Sequence, residues 1–316
     1  MRGFSNKFSD FPDYIIKITK EIWEDRGLGR AMKEYYHPDV VVRVPAGIST
    51  GEAGMTQTTL EVLNEFPDRQ LYAEDVIWSG DPEAGMLSSH RLYSTATHRG
   101  GRFGPDSGVK LTFRGIADCY AKDNQISDEW LVRDNGCIVR QLGMTPEEFV
   151  RAEAEAGRPQ GAFLPENDIE GPYSGRGNDN EWGARYAEFL TRIAAKEMDV
   201  IRGEYDRACK LEYPGGVGTA GHEAAFDHWN GLVSAFPGAE FKVHHVIGRD
   251  DPMMPPRAAV RWSLDGTHDG WGAFGRPTCK RVHVMGISHA EFGPWGLRRE
   301  WVCYDEVAIW GQILAS

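Results

Sequence analysis

The strongest constraint on the fold is that the second half of the chain repeats the first. Residues 60–142 and residues 230–313 carry the same landmarks in the same order. Matching positions are Phe66 and Phe236, Asp81 and Asp251, His98 and His268, Gly115 and Gly286, Glu129 and Glu300, and Gln141 and Gln312. The spacing between partners stays at 170 or 171 residues. A spacing held constant over about eighty positions predicts a duplicated domain.

Domain boundaries follow from this repeat. We predict a first copy over residues 1–156, a linker over 157–180 and a second copy over 181–316. The linker is rich in glycine and proline and ends in Asn-Asp-Asn, which is typical of connecting segments. An exposed helix is predicted just before it, with Thr145 as its cap and Pro146 in its first turn. We expect the acidic residues of the linker to form a solvated surface.

Within each copy, helical patterns come first and strand-like patterns follow. In the first copy, Ile15, Ile18 and Ile22 recur at helical spacing. Strand patterns in this copy lie at 40–44, 69–78, 86–98, 109–121 and 126–134. The second copy predicts helices near 181–201, 203–211 and 221–235, and strands near 239–248, 257–268, 279–291 and 297–305. This order favours an α+β fold in which a strongly curved antiparallel sheet wraps against helices.

The charge and hydropathy of the chain argue against nucleic acids and membranes as partners. The formal net charge is −12 and the pI is near 5.3, whereas nucleic acids and anionic membranes attract basic surfaces. The chain has no apolar run long enough to span a membrane, and its polar start lacks the apolar core of a signal peptide.

The five cysteines are odd in number and show no Cys-x-x-Cys spacing, which argues against a disulfide framework. We therefore expect a cytoplasmic protein with free thiols.

Six short motifs occur in the same order in both copies. The first copy carries FPD (66–68), EDVI (74–77), ATHRG (96–100), FRGIADCY (113–120), DEWLVRD (128–134) and IVRQLG (138–143). The second carries FPG (236–238), HHVI (244–247), GTHDG (266–270), VMGISHAEF (284–292), REWVCYDE (299–306) and WGQIL (310–314). In these motifs each copy resembles the SnoaL-like polyketide cyclases of the nuclear transport factor 2-like superfamily. The resemblance implies two tandem cone-shaped domains, each with a curved antiparallel sheet around helices.

The resemblance also implies an aspartate that moves a proton next to a carbonyl without a metal or cofactor. Asp134 and Asp305 lie at the ends of matching strands, where each shares a strand face with a tryptophan, Trp130 or Trp301. If that face lines the cone, burial raises the pKa of the aspartate and suits it to acid/base chemistry. The alternative is a polar residue at a sheet end that bonds to backbone or to a neighbouring arginine.

Two histidines and two glutamates accompany these aspartates. His98 and His268 end strands just before glycine-containing turns, and they either assist the proton transfer or hold the turn backbone. Glu129 and Glu300 alternate away from the tryptophans, so they either face the other side of the sheet and pair with arginine or lysine at the domain interface, or take part in catalysis. The predicted catalytic residues are Asp134, Asp305, His98 and His268, and the predicted substrate-binding residues are Trp130, Trp301, Tyr304, Trp262 and Tyr93.

No metal site and no cofactor are predicted. His222 and His228 lie on different faces of a predicted helix, and the neighbours His244 and His245 point to opposite faces of a strand. The sequence also lacks the fingerprints of phosphate-binding and dinucleotide-binding loops.

Two hypotheses for the function remain open at this point. The first is a cofactor-independent lyase, isomerase or cyclase that acts on a small, apolar carbonyl or aromatic substrate by acid/base proton transfer. The alternative is a non-catalytic module for small-molecule binding or assembly. Both copies keep His, Trp and Asp at matching positions, which favours the enzyme. We also expect the two copies to form a pseudo-dimer within one chain, with a homodimer as a further option.

Overall fold

The computed structural model describes residues 1–315, in which each repeat folds around its own six-stranded sheet. The first repeat contains α1 (Phe11–Thr19), a π-helical turn (Lys20–Glu24), α2 (Ala31–Tyr35), β1 (Tyr36–Val44), β2 (Gly47–Thr50), α3 (Gly51–Glu65), β3 (Gln70–Asp81), β4 (Gly85–Thr97), β5 (Lys110–Lys122) and β6 (Gln125–Arg133). Helices α4 (Asn135–Gln141) and α5 (Pro146–Glu155) and a 3₁₀ turn (Pro165–Asn167) follow.

The second repeat has the same order of elements. It contains α6 (Glu181–Ala194), α7 (Asp199–Glu204), β7 (Tyr205–Tyr213), β8 (Val217–Ala220), α8 (His222–Ala235), β9 (Glu240–Arg249), β10 (Arg257–Thr267), β11 (Arg281–Gly293), β12 (Gly296–Tyr304) and α9 (Glu306–Ile313). Among residues 1–315, no helix is both long and apolar enough to cross a membrane.

The two sheets have identical topology. Their strand orders are β2-β1-β6-β5-β4-β3 and β8-β7-β12-β11-β10-β9. All neighbours are antiparallel except the pairs β1–β6 and β7–β12, which are parallel. The predicted α+β fold and its duplication are therefore confirmed.

Helix α1 forms because its capping and its apolar spacing agree. The Asp10 carboxylate accepts a hydrogen bond from the Asp13 backbone N–H at 2.8 Å and so satisfies one free donor of the first turn. Tyr14, Ile15 and Ile18 fall on one face and are buried. That face packs against β3 and β4, so the helix covers the inner side of the sheet.

One predicted helix of the second repeat is wrong. Residues 203–211 were expected to be helical, but Tyr205–Tyr213 form strand β7. From Cys209 onward the buried residues alternate with a period of two, and the strand pairs in parallel with β12. The short segment fits either pattern locally, and its long-range pairing with β12 decides between them. The predicted helix at 181–201 is also divided, because Lys196 adopts a positive φ of 73° between α6 and α7.

The chain divides into two compact units that interleave along the sequence. The first contains Met1–Arg133, Cys137–Met144 and Phe163–Gly175. The second contains Asp134–Gly136, Thr145–Ala162 and the chain from Arg176 onward. Part of the predicted linker thus packs with the first unit, and helix α5 packs with the second.

The linker segment 163–175 is held to the first unit by a buried arginine. Arg43 is 2% exposed and forms ion pairs with Asp128 at 2.9 Å and with Asp168 at 2.5 Å. Asp128 also accepts a hydrogen bond from the Tyr173 backbone N–H at 2.8 Å. The acidic Asp168 of the linker therefore contacts a specific partner, whereas a solvated surface was expected.

Gly171 is the tightest point of this attachment, and we predict that Gly171→Ala destabilises the first unit. A Cβ at this position would lie 1.9 Å from Oδ1 of the fully buried Asp128. The expected loss is about 1–3 kcal/mol in the free energy of unfolding, measured by urea denaturation. Gly203→Ala in helix α7 is the matched control, because no other atom of residues 1–315 outside the helix's own backbone lies within 4 Å of the added methyl there. Equal stability of both variants would show that the segment is not held at Gly171.

Candidate active site

A cavity in the first unit lies between the inner face of the sheet and the helices that cover it. Its empty volume is about 590 Å³, which includes the part open to solvent. Helix α1 and the π-helical turn form one wall, and strands β3 to β6 form the other. The lining residues are Ile15, Ile18, Thr19, Trp23, Tyr36, Arg69, Leu71, His90, Leu92, Gly115, Ala117, Cys119, Ile126, Glu129, Leu131 and Arg133. Most of this surface is apolar, and a few polar groups point into it.

Strand pairing places these polar groups in rows across the inner face. From one end of the cavity to the other, the rows are Leu92–Gly115–Arg133, His90–Ala117–Leu131 and Ser88–Cys119–Glu129. Side chains two apart on a strand share a face, so Glu129 and Arg133 point to the same side. Their Cα atoms are about 13 Å apart along an extended strand, which leaves room for a small molecule between the two side chains.

Glu129 is the buried carboxylate of this cavity. It is 3% exposed, and the Tyr36 hydroxyl donates a hydrogen bond to its Oε2 at 2.9 Å. Among the described residues this is its single hydrogen bond to a side chain. Burial raises the pKa of Glu129 above its usual range, although the Tyr36 hydrogen bond and the charge of Arg133 oppose the rise. A carboxyl group with this environment is a stronger base than an exposed one.

Two arginines, Arg69 and Arg133, lie at the end of the cavity opposite Glu129. Arg69 is 5% exposed, its Nη2 donates to the Ser94 hydroxyl at 3.2 Å, and its guanidinium lies 5.3 Å from the ring centre of Phe113. Burial, together with the nearby charges of Arg133 and Arg26, lowers the pKa of Arg69 to about 9. Arg69 and Arg133 both line this end of the cavity, so their like charges repel each other.

His90 lies in the middle row, between the arginines and the glutamate. It is 2% exposed, and its Nε2 has no hydrogen-bond partner among residues 1–315. Burial lowers the pKa of His90 to about 3, so the imidazole is neutral at physiological pH. A neutral imidazole can either donate or accept a hydrogen bond, according to its tautomer.

The π-helical turn contributes Trp23 to the wall that covers the sheet side of the cavity. The Glu24 carboxylate accepts a hydrogen bond from the Leu71 backbone N–H at 2.6 Å, which ties the turn to strand β3. Turns of this type are rare and occur frequently at functional sites.

The structure places both predicted aspartates outside this lining. Asp134 accepts hydrogen bonds from the backbone N–H groups of Gly215 at 2.9 Å and Gly216 at 3.0 Å. Asp305 caps helix α9 by accepting from the Val307 backbone N–H at 2.9 Å. These are the contacts of polar residues that hold backbone at a sheet end, which was the alternative interpretation. A catalytic role for either aspartate stays a prediction.

The predicted histidines lie in the turns that follow β4 and β10. His98 is within hydrogen-bond distance of Glu65 through Nε2, at 3.2 Å, and of Ser107 through Nδ1, at 2.8 Å. His268 contacts the Thr278 hydroxyl through Nδ1 at 3.2 Å, and its Nε2 has no hydrogen-bond partner in the described chain. Neither histidine lines the cavity of the first unit.

The predicted substrate-binding aromatics are distributed over both units. Trp130 lies on the outer face of the first sheet, 4.5 Å from the Arg43 guanidinium, and Tyr93 lies 5.1 Å from that of Arg114. Trp262 and Tyr304 belong to the core of the second unit, and Trp301 there is also buried. The structure therefore does not bring these residues together at one site.

The same region of the second unit is filled by aromatic side chains. Strand pairing matches Leu92 with Trp262, because the two lie opposite the equivalent glycines Gly115 and Gly286. A Cβ on Gly286 would lie 2.2 Å from the Trp262 indole, so the ring packs directly on that glycine. Trp262 is fully buried. By the same pairing, Val260 matches His90 and Tyr304 matches Arg133.

Glu300, the counterpart of Glu129, is saturated with hydrogen bonds. The hydroxyls of Tyr186, Tyr205 and Tyr213 donate to it at 2.9, 2.7 and 2.7 Å, and the Trp229 indole N–H lies at 3.4 Å. Burial raises the pKa of Glu300, and these hydrogen bonds oppose the rise. Four hydrogen-bond donors of the second unit therefore surround this carboxylate.

The sequence analysis identified Glu129 but missed Arg69 and His90, although the repeat contained a signal for both. At the constant spacing, Arg69 and His90 match Ala239 and Val260. A charged or polar residue in one copy, at a position that is apolar in the other, marks a place where the fold itself does not require polarity. Among residues 1–315, no cluster of three or more His, Cys, Asp or Glu side chains could hold a metal ion.

Comparison with known proteins matches each repeat to a family of the same type. A family model described as SnoaL-like polyketide cyclase matches residues 4–142, and one described as SnoaL-like domain matches residues 186–300. No curated protein sequence matches the chain at a significant level.

Solved structures match one domain length of the chain. A SnoaL-like polyketide cyclase from Agrobacterium tumefaciens is 21% identical, with a TM-score of 0.31, over 41% of this chain and 95% of that chain. TsrD from Streptomyces laurentii is 20% identical, with a TM-score of 0.36, over 43% of this chain and 98% of that chain.

Proposed function

The chain consists of two tandem SnoaL-like domains, and on that premise we propose that the first domain catalyses proton transfer next to a carbonyl group without a cofactor. One observation carries the proposal. Glu129 is a buried carboxylate in an open, mostly apolar cavity with a single hydrogen bond from Tyr36, whereas the matching Glu300 is enclosed and fully hydrogen-bonded. In this proposal the second domain is not catalytic, because aromatic side chains fill its matching region.

The proposed reaction begins with Glu129 as a base. Its carboxylate takes a proton from the carbon next to a substrate carbonyl, and the electron pair of the broken C–H bond moves onto the carbonyl oxygen. The resulting enolate is stabilised by a hydrogen bond from His90 Nε2 and, over a longer distance, by the positive charges of Arg69 and Arg133 at the other end of the cavity. Preorganised donors in a site that excludes water are effective at this task.

The fate of the enolate defines the reaction class. Return of the proton from Glu129 to a different atom gives an isomerisation. Attack of the enolate carbon on a second carbonyl forms a new C–C bond and closes a ring, and the proton on Glu129 then passes to the new alkoxide. Both outcomes balance without an oxidant, a reductant or a metal. A cyclase or isomerase of small carbonyl compounds is therefore the proposed activity.

The experiment that tests the proposal follows the proton and does not require the natural substrate. A panel of small ketones and diketones is incubated with the protein in D₂O, and exchange of the protons next to the carbonyl is followed by NMR. We expect exchange to exceed the buffer rate for at least one compound. Binding without exchange across the panel would instead support the non-catalytic module.

We predict a bell-shaped dependence of this exchange rate on pH. Glu129 must be deprotonated to act as a base, and burial raises its pKa, so the rate increases as pH rises through that raised pKa. Arg69 must be charged, so the rate decreases as pH rises through about 9. Rate profiles of the wild type and of Arg69→Met measure this, and the variant should lack the alkaline decrease. An unchanged alkaline decrease in Arg69→Met would assign it to another group.

A further inference from the structure

We propose that the first-domain cavity binds a carboxylate group of its ligand at Arg69 and Arg133. This inference rests on the proposed function and narrows its substrate class to carbonyl compounds that also carry a carboxylate, such as keto acids. The carboxylate would lie at the arginine end of the cavity, and the carbon that exchanges its proton would lie near Glu129.

Arg69 is a buried cation that has no counterion in the described part of the chain. It is 5% exposed, and no Asp or Glu among residues 1–315 forms an ion pair with it. Its Nη2 donates to the neutral Ser94 hydroxyl, and its Nε has no hydrogen-bond partner in the described chain. Burying an uncompensated charge is strongly unfavourable. A planar guanidinium with free donors in a cavity wall is a typical partner for a carboxylate.

The charges of the cavity lining sum to a positive value. Arg69 and Arg133 are its cations, Glu129 is its one acidic residue, and His90 is held neutral by burial. The arginines therefore exceed the carboxylate even when Glu129 is ionised. An anionic ligand would lower the repulsion between the two guanidinium groups, whereas a neutral ligand of the same shape would not.

The second domain shows that the fold does not need these arginines. Ala239 occupies the position of Arg69, in the same turn before the first long strand, and Tyr304 occupies that of Arg133. Both domains nevertheless have the same sheet topology. The cationic pair is thus specific to the domain that has an open cavity, which indicates a role in binding and argues against one in folding.

The binding experiment compares a keto acid with its neutral analogue. Titration calorimetry is carried out with 3-benzoylpropionate and with its primary amide, which have the same shape and differ in charge. We expect the acid to bind the wild type about tenfold or more tightly than the amide, and Arg69→Met to remove that difference. Arg114→Met is the control, because Arg114 pairs with Glu74 away from the cavity and should leave both affinities unchanged.

Thermal unfolding tests the same site without any ligand. Because Arg69 is uncompensated, Arg69→Met should melt at least as high as the wild type in the absence of ligand. Equal binding of acid and amide, no binding of either, or a lower melting temperature of Arg69→Met would each overturn the carboxylate site.

Two variants distinguish carboxylate binding from proton transfer. Glu129→Gln should keep the preference for the acid but lose proton exchange, whereas Arg69→Met should lose the preference. Carboxylate binding without proton exchange in the wild type would leave the anion site standing and would overturn the catalytic proposal.

Discussion

Glu129→Gln is expected to lower the rate of proton exchange by about 10²–10⁴-fold, the usual contribution of a general base. The substitution keeps the shape of the side chain, and its amide oxygen can still accept the hydrogen bond from Tyr36. The amide cannot take a proton from carbon, so binding should persist while exchange is lost. The measurement is the NMR exchange assay, together with a binding titration of the same compound.

Glu300→Gln is the matched control for this variant. Glu300 occupies the equivalent strand position in the second domain and is enclosed by hydroxyls of three tyrosines. We expect its substitution to change the stability of the second domain and to leave proton exchange at the wild-type rate. If Glu129→Gln exchanged at the wild-type rate, or if both variants lost exchange equally, the base would have to be sought outside Glu129.

Filling the cavity of the first domain is the other change with a large expected effect. Leu92→Trp places a tryptophan opposite Gly115, in the arrangement that Trp262 and Gly286 adopt in the second domain. The indole would occupy the space between the sheet and helix α1. We expect ligand binding to fall below detection and proton exchange to decrease by at least about 10²-fold, because the substrate no longer reaches Glu129.

The second domain also supplies the design that keeps this variant folded. The indole N–H of Trp262 donates to the Ser288 hydroxyl at 2.9 Å, and the position of Ser288 is Ala117 in the first domain. The double variant Leu92→Trp with Ala117→Ser therefore provides the buried N–H with a partner. Circular dichroism and urea denaturation should show a folded protein. Tyr72→Trp, on an exposed part of strand β3, is the control for added bulk and should keep its activity. Full activity of the double variant would place the reaction outside this cavity.

The duplication gives these predictions a common physical basis. Both domains bury a glutamate at the same strand position, and they differ in what surrounds it. In the second domain, tyrosines and tryptophans satisfy the carboxylate and fill the space, which favours stability. In the first, Arg69 Nε and His90 Nε2 have no hydrogen-bond partner among residues 1–315, and buried polar groups of this kind are unfavourable unless a ligand uses them.

Several features of this protein were determined by the sequence alone. The constant spacing between matching landmarks predicted the duplication, and the order of helical and strand patterns predicted the α+β fold. Ile15 and Ile18 lie on the buried face of a helix, as their spacing predicted. Apolar periodicity is visible in a short stretch of sequence because burial of one face imposes it on each helix and strand. The repeat is visible because both copies keep the same landmarks at the same spacing.

The tertiary structure alone decided which strand face lines the cavity. Alternation divides strand β6 into two faces, with Glu129 on one and Trp130 on the other, but the pattern is symmetric and does not identify the face that helix α1 covers. That choice depends on packing between elements distant in the chain, and it placed Glu129 inside. Likewise, the capping contacts of Asp305 and the strand at Tyr205–Tyr213 depend on partners that the local sequence does not specify.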